Sequence, residues 1–209
     1  MSATNRKFQR PLGSLRGQPA RPATSQSGTA AVEFAIVAIV FFLFVFGILE
    51  VARVMYVYNT LQESTRRAAA AAAHVYPTDT AAITRLKQDA VFRTSSGQLL
   101  LGPPVSDSHI RIDYLAYDLS EIPASALPSC ASDNQQICMA KPHSASCIHF
   151  VEVRVCDPNN TGTCVAAQSQ GMFPLVSLPV PLPTAPTIVP VETLGYRQGV
   201  PPCPPASGP

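Results

Sequence analysis

The chain has 209 residues, 46% hydrophobic and 13% charged, with no Trp, 21 Pro and six Cys. That size and apolar content exclude a wholly disordered chain and allow one modest domain plus an appendage. The formal charge of +2 hides an asymmetry: residues 1–28 carry five bases and no acid, while the rest carries ten bases and thirteen acids, so no basic nucleic-acid-binding surface is expected.

The bases Arg6, Lys7, Arg10, Arg16 and Arg21 form a leader containing Pro and Gly. An uncharged run follows, Phe34 to Leu49. At about 1.5 Å per helical residue this run covers about 24 Å, short of a hydrocarbon core of about 30 Å. Starting the span at Ala30 closes the gap and brings Glu33 into or near the bilayer. A carboxylate costs roughly 2.5–3.5 kcal/mol at mid-bilayer and less near an interface. The basic leader before the span predicts a cytoplasmic N-terminus and an outer location for everything after about residue 50. Three readings compete for the segment. A cleaved secretory signal needs a small-residue site just after the apolar run, whereas Glu50, Val51, Ala52 and Arg53 continue the helical pattern. A plain signal anchor fits. A prepilin leader also fits: Ser27-Gly28-Thr29-Ala30-Ala31-Val32-Glu33-Phe34 places Glu33 fifth after a cut between Gly28 and Thr29.

From Gly28 to about Ala73 the chain resembles the TadE-like proteins, pilin-like components of the tight-adherence (Flp) pilus machinery. The matching features are Gly28, Glu33-Phe34, Gly47-Ile48-Leu49-Glu50 and Tyr58-Asn59-Thr60-Leu61-Gln62. Arg66-Arg67-Ala68-Ala69-Ala70 departs from the Ala-Arg-x-Gly-Ala-Arg ending of many relatives. The resemblance implies cleavage by a prepilin peptidase and a minor pilin or pseudopilin role among other pilus-assembly subunits. It also implies a bacterial inner-membrane location with the C-terminal domain periplasmic or extracellular, in part within the pilus. The chain from Thr29 onward is too long to resemble the very short major subunits. Glu33, with Phe34 beside it, would set register between helices by pairing with the new α-amine of Thr29. The alternative is that Glu33 is only a boundary charge.

The helical pattern continues past the membrane to Tyr76 and stops at Pro77. Val54, Tyr58, Leu61, Thr65, Ala68, Ala72 and Val75 recur at spacings of four and three and predict a narrow buried stripe. A short helix is predicted from Thr80 to Arg93. Strands are predicted over His109–Tyr117 and Ile148–Cys156, where apolar and polar residues alternate. Asp157 to Gly162 is a turn signal, with a return strand expected at Cys164-Val165. From Met172 the Pro-rich sequence, with Pro179, Pro181 and Pro183 alternating with apolar residues, predicts an edge strand or polyproline-like extension, and Val200–Pro209 a disordered end.

The expected fold is therefore α+β: a long transmembrane pilin-like helix over 29–76, then a small antiparallel-sheet domain with disulfides over 77–171 and a tail over 172–209. Cys130, Cys138, Cys147, Cys156, Cys164 and Cys203 all lie in the part placed outside the membrane and are disulfide candidates. Cys156–Cys164 is the first expected pair, around the turn, and Cys130–Cys138 the second. Cys203 is left free or intermolecular. A zinc site from Cys138, His143, Cys147 and His149 is a weaker reading because the spacings lack a CxxC knuckle. GxSxG, HExxH, P-loop and GxGxxG motifs are absent, so no catalytic residue, metal or cofactor is expected. The expected function is structural. The alternatives are an unprocessed single-pass anchor presenting a disulfide-linked binding module, and a membrane-tethered metal-dependent enzyme.

Overall fold

A computed structural model describes residues 27–160, 162–172, 180–196 and Cys203. The basic leader up to Gln26, Thr161, Pro179 and most of the C-terminal segment from residue 197 lie outside the described residues. The chain divides into two compact units, Met1–Val40 and Phe41–Pro209. In the first, the described residues are the opening turns of helix α1, Ser27–Ala72. Their side chains from Gly28 to Val37 are all exposed. From Gly28, α1 is long and apolar enough to cross a membrane.

The second unit holds the rest of α1, helix α2 (Thr80–Ala90), strand β1 (Ile110–Leu115), helix α3 (Ala131–Ala140), and strands β2 (Phe150–Val155) and β3 (Thr187–Pro190). The strands form an antiparallel sheet in the order β1-β2-β3. The alternating pattern of β2 sends Val151, Val153 and Val155 to one face, where each is 1% exposed or less. They share a single core with Val57, Leu61, Ala68, Ala69 and Ala72 of α1. Each large apolar side chain buried there contributes about 1.5–3 kcal/mol. The small residues in the last turns of α1 let neighbouring chain approach it closely.

The opposite face of the sheet is charged. Register places Arg111 across from Arg154 and Asp113 across from Glu152, two like-charge pairs that would repel if left alone. Ion pairs along β1, diagonally across to β2 and out to Glu121 resolve this. Asp113 accepts from Arg111 Nε at 2.9 Å and from Arg154 Nη2 at 2.5 Å, and Glu121 accepts from Arg111 Nη2 at 3.1 Å.

The segment 180–196 runs alongside the later turns of α1. Tyr58 donates its hydroxyl proton to the Pro181 carbonyl at 2.5 Å, and the hydroxyls of Thr65 and Thr187 lie 3.0 Å apart. Further on, the Glu192 and Leu194 N–H groups both donate to the Ala73 carbonyl, at 3.2 and 3.1 Å. That carbonyl has lost its helical partner, so the segment acts as the helix's C-terminal cap. Gly195, at φ +76°, allows the chain to turn past His74 and Tyr76.

The return strand and helix α3 depart from expectation, whereas the Pro-rich segment supplies the expected edge strand. The return strand at Cys164-Val165 does not form: Asp157 N–H donates to the Val165 carbonyl at 2.8 Å, closing a loop instead. The third strand is β3, whose prolines sit at and beside its ends on the sheet edge, where a missing N–H is tolerated. Helix α3 was not expected, because it lacks an apolar stripe. Asn134 docks it by accepting from Ile148 N–H at 2.9 Å.

His109 closes the 3-10 turn Asp107–His109 just before β1 and is 8% exposed. Its Nδ1 accepts from the Ser106 N–H at 3.1 Å, a geometry that fits neutral imidazole. Burial lowers its pKa below the ordinary 6.5, against the opposing pull of Asp157 and Asp107. The unfolded chain therefore binds the proton first as pH falls, so this contribution to stability is present above the ordinary His pKa and lost on acidification through the folded value. Urea midpoints at about pH 7.5 and about pH 5 should show wild type losing more stability than His109→Gln. Equal losses would contradict the assignment.

Candidate functional site

The sequence-predicted assembly residues lie on the first turns of α1. Gly28 is exposed, and a Cβ built there meets nothing within 4 Å. Gly28 is the second residue of α1, in the turn whose N–H groups have no intrahelical acceptor. Glu33 is exposed and has no ion-pair partner among the described residues. Phe34 is 75% exposed. Consecutive helical residues point about 100° apart, so the carboxylate and the ring face different neighbours. A carboxylate on an apolar helix that lacks an ion-pair partner among the described residues offers its charge to a cation presented from outside.

The second charged feature is buried. Glu50 is fully inaccessible and Arg53 is 8% exposed. Arg53 donates from Nε and Nη2 to Glu50 Oε1 at 3.0 and 2.6 Å. Its remaining donors leave the helix: Nη1 to the Leu101 carbonyl at 2.9 Å and Nη2 to the Gln170 carbonyl at 2.6 Å. Glu50 Oε2 accepts from the Met172 N–H at 3.4 Å. Two segments distant in sequence are thus tied to one turn of α1. In the sequence, Glu50 and Arg53 register only as a continuation of the helical pattern past the apolar run. The available signal was their spacing: Glu50 and Val57 extend the buried stripe by whole turns toward the apolar run, so a charge on that stripe must be paired inside.

All six cysteines are bonded: Cys130 with Cys203, Cys138 with Cys147, and Cys156 with Cys164. The expected Cys130–Cys138 pair is corrected. Cys130 caps α3 and Cys138 lies two turns further along it, roughly 12 Å away along the axis and beyond the about 7 Å Cα limit of a disulfide. Cys203 is neither free nor intermolecular. Its bond to Cys130 closes 73 residues, against 9 and 8 for the others, and loop-closure entropy assigns about 4 kcal/mol to the long closure and about 2.5 kcal/mol to each short one. Cys138, Cys147 and His149 do converge within 4.8 Å. The first two are joined to each other, so the oxidised site offers no thiolate, and His149 Nε2 lies 2.6 Å from the Pro142 carbonyl. His143 is outside that group and packs edge-on to Tyr117 at 4.5 Å between ring centroids, a ring that His149 also meets edge-on at 5.4 Å.

A family model described as TadE-like protein matches residues 28–70. No curated protein and no solved structure matches the chain. The TadE-like segment is α1 from Gly28 almost to its end. It contains Gly28, Thr29, Glu33, Phe34, Glu50 and Arg53, and none of the cysteines. The helix and its buried ion pair therefore lie inside the matched segment, while the sheet and disulfides lie outside it.

Removing either member of the Glu50–Arg53 pair strands a buried charge. Glu50→Ala and Arg53→Ala should each lower stability by about 3–5 kcal/mol, with the double replacement costing less than their sum. Urea unfolding of the full chain in detergent measures this. Additive losses would show that the two groups act independently.

Proposed function

We propose that this protein is a minor pilin or pseudopilin of a tight-adherence type pilus system, with a structural and non-catalytic role. The observation that carries the reading is the match of residues 28–70 to the TadE-like family, on a helix whose opening turns expose an apolar surface interrupted by one carboxylate, Glu33. The match supports a pilus-related role in general terms. The finer role follows from chemistry. A prepilin peptidase cutting after Gly28 would remove all five leader bases and leave a chain of net charge −3. The leader's attraction to an anionic inner leaflet would go with them. The cut would also create an α-amine on Thr29, with an ordinary pKa near 8 and therefore largely protonated at neutral pH.

That amine and Glu33 are complementary charges near lipid. Pairing between neighbouring subunits would offset the desolvation of both and fix their axial register. The disulfide-closed α+β domain would be carried on the outer face of the inner membrane, ready to enter or prime the filament beside other pilus subunits.

The test is Glu33→Gln, expressed beside wild type in cells that make the pilus. Membrane insertion and leader removal should persist, because a neutral residue is easier to insert than a charged one. Cross-linking to other pilus subunits and pilus formation should fall by at least about ten-fold, as expected from losing about 1.4 kcal/mol or more of pairing per contact. Wild-type cross-linking and pilus levels in the variant would refute the pairing role.

A further inference from the structure

Around the Glu50–Arg53 pair the second unit exposes apolar side chains that its own core does not use. The turn between Leu99 and Gly102 inserts Leu99 into the core and turns Leu100 and Leu101 outward, 65% and 47% exposed. Leu101 sits at φ +58°, an unfavourable backbone region for a branched side chain. Its carbonyl is held there by Arg53 Nη1 at 2.9 Å. Met172, 46% exposed, is held at the level of Glu50 through its N–H. On α1 itself the exposed residues at this level are also apolar or aromatic: Met55 is 64% exposed and Tyr56 44%.

The height of these groups relative to the bilayer follows from the helix. Glu50 directly follows the last residue of the apolar run, and Arg53 lies about 6 Å beyond Leu49 along the axis. The headgroup zone on each side of a bilayer is about 5–7 Å thick. The segments gripped by Glu50 and Arg53 therefore fall within that zone once the run before them spans the core. An ion pair there is shielded by protein, and the shielding segments turn leucine and methionine outward.

We propose that Leu100, Leu101 and Met172 form a lipid-facing collar, which seats the extracytoplasmic domain in the headgroup–acyl boundary of the membrane its helix crosses. The occupant is lipid, because Leu101 and Met172 are hydrogen-bonded to the turn of α1 that directly follows its apolar run. The collar limits the tilt of the domain before assembly and keeps water from the Glu50–Arg53 pair. This inference rests on the reading of α1 as membrane-inserted.

The chain contains no Trp, so one introduced Trp is a clean reporter. Full-length Leu100→Trp, Phe44→Trp and Met139→Trp are each reconstituted into phosphatidylcholine vesicles with and without lipids brominated near the headgroup end of the acyl chain. Met139, 85% exposed on α3, is the water-facing control. Leu100→Trp should emit at shorter wavelength and lose about half its intensity to shallow brominated lipid, because an interfacial ring contacts the upper acyl chains. Met139→Trp should be unaffected. If Phe44→Trp is quenched but Leu100→Trp behaves like Met139→Trp, the collar is overturned and the anchor stands. If neither Phe44→Trp nor Leu100→Trp is quenched, the anchor falls and the collar with it. A blue-shifted Leu100→Trp that brominated lipid does not quench would mean that protein, such as a second copy of this chain, covers the patch, which overturns the lipid assignment.

Discussion

An ion pair buried on a helix is costly unless further hydrogen bonds support both charges. Taking two charges from water costs several kcal/mol per ion, and their attraction recovers this only with good geometry and further hydrogen bonds. Glu50 and Arg53 meet that condition by drawing in the Leu101 and Gln170 carbonyls and the Met172 N–H. The need to satisfy one pair thus fixes where the chain after α2 and the chain before the C-terminal segment return to the helix. Further out, the role passes to apolar packing of Leu61 and its neighbours against β2. At the end of the helix it passes to the capping of Ala73 by residues 192–194.

The resulting domain is packed along one face of a single helix. Its sheet has three short strands, and one of them comes from a proline-rich segment. A core this small gains little from burial alone, and the three disulfides supply constraint that the sheet cannot. The Cys130–Cys203 bond matters most in this respect. It links the N-cap of α3 to a residue 73 positions away, so the chain after β3 cannot peel from the helix it caps without also displacing α3. Tyr76 reinforces the same corner: its hydroxyl donates to the Pro128 carbonyl just before α3, and burial with nearby Asp133 raises its pKa to about 12, so it stays a donor at any physiological pH.

The elements that could be read from sequence are those governed by a single period. The stripe from Leu61 to Ala72 and the alternation of Val151, Val153 and Val155 each state one geometry, and both are buried in the fold. What could not be read depends on partners distant in the chain. Helix α3 has no apolar face and is held by two disulfides and by Asn134, so periodicity says nothing about it. Cys130 has its neighbour in sequence at Cys138 but its partner at Cys203, because the helix between the first two holds them apart. The Glu50–Arg53 clamp lies between these cases. Its spacing was visible, but the carbonyls that make burial tolerable belong to residues about 48 and 117 positions later. Gly28 and Glu33 stand out in the sequence by local spacing alone, and the structure places both, exposed, on the opening turns of α1.

The central claim is that the exposed opening turns of α1 belong to a processed pilin-type subunit. The most direct measurement is the intact mass and N-terminal sequence of the protein extracted from its native membrane. The account predicts a chain that begins at Thr29. A chain that retains residues 1–28 in an assembled, mature pilus system would contradict it and leave a static anchor in its place.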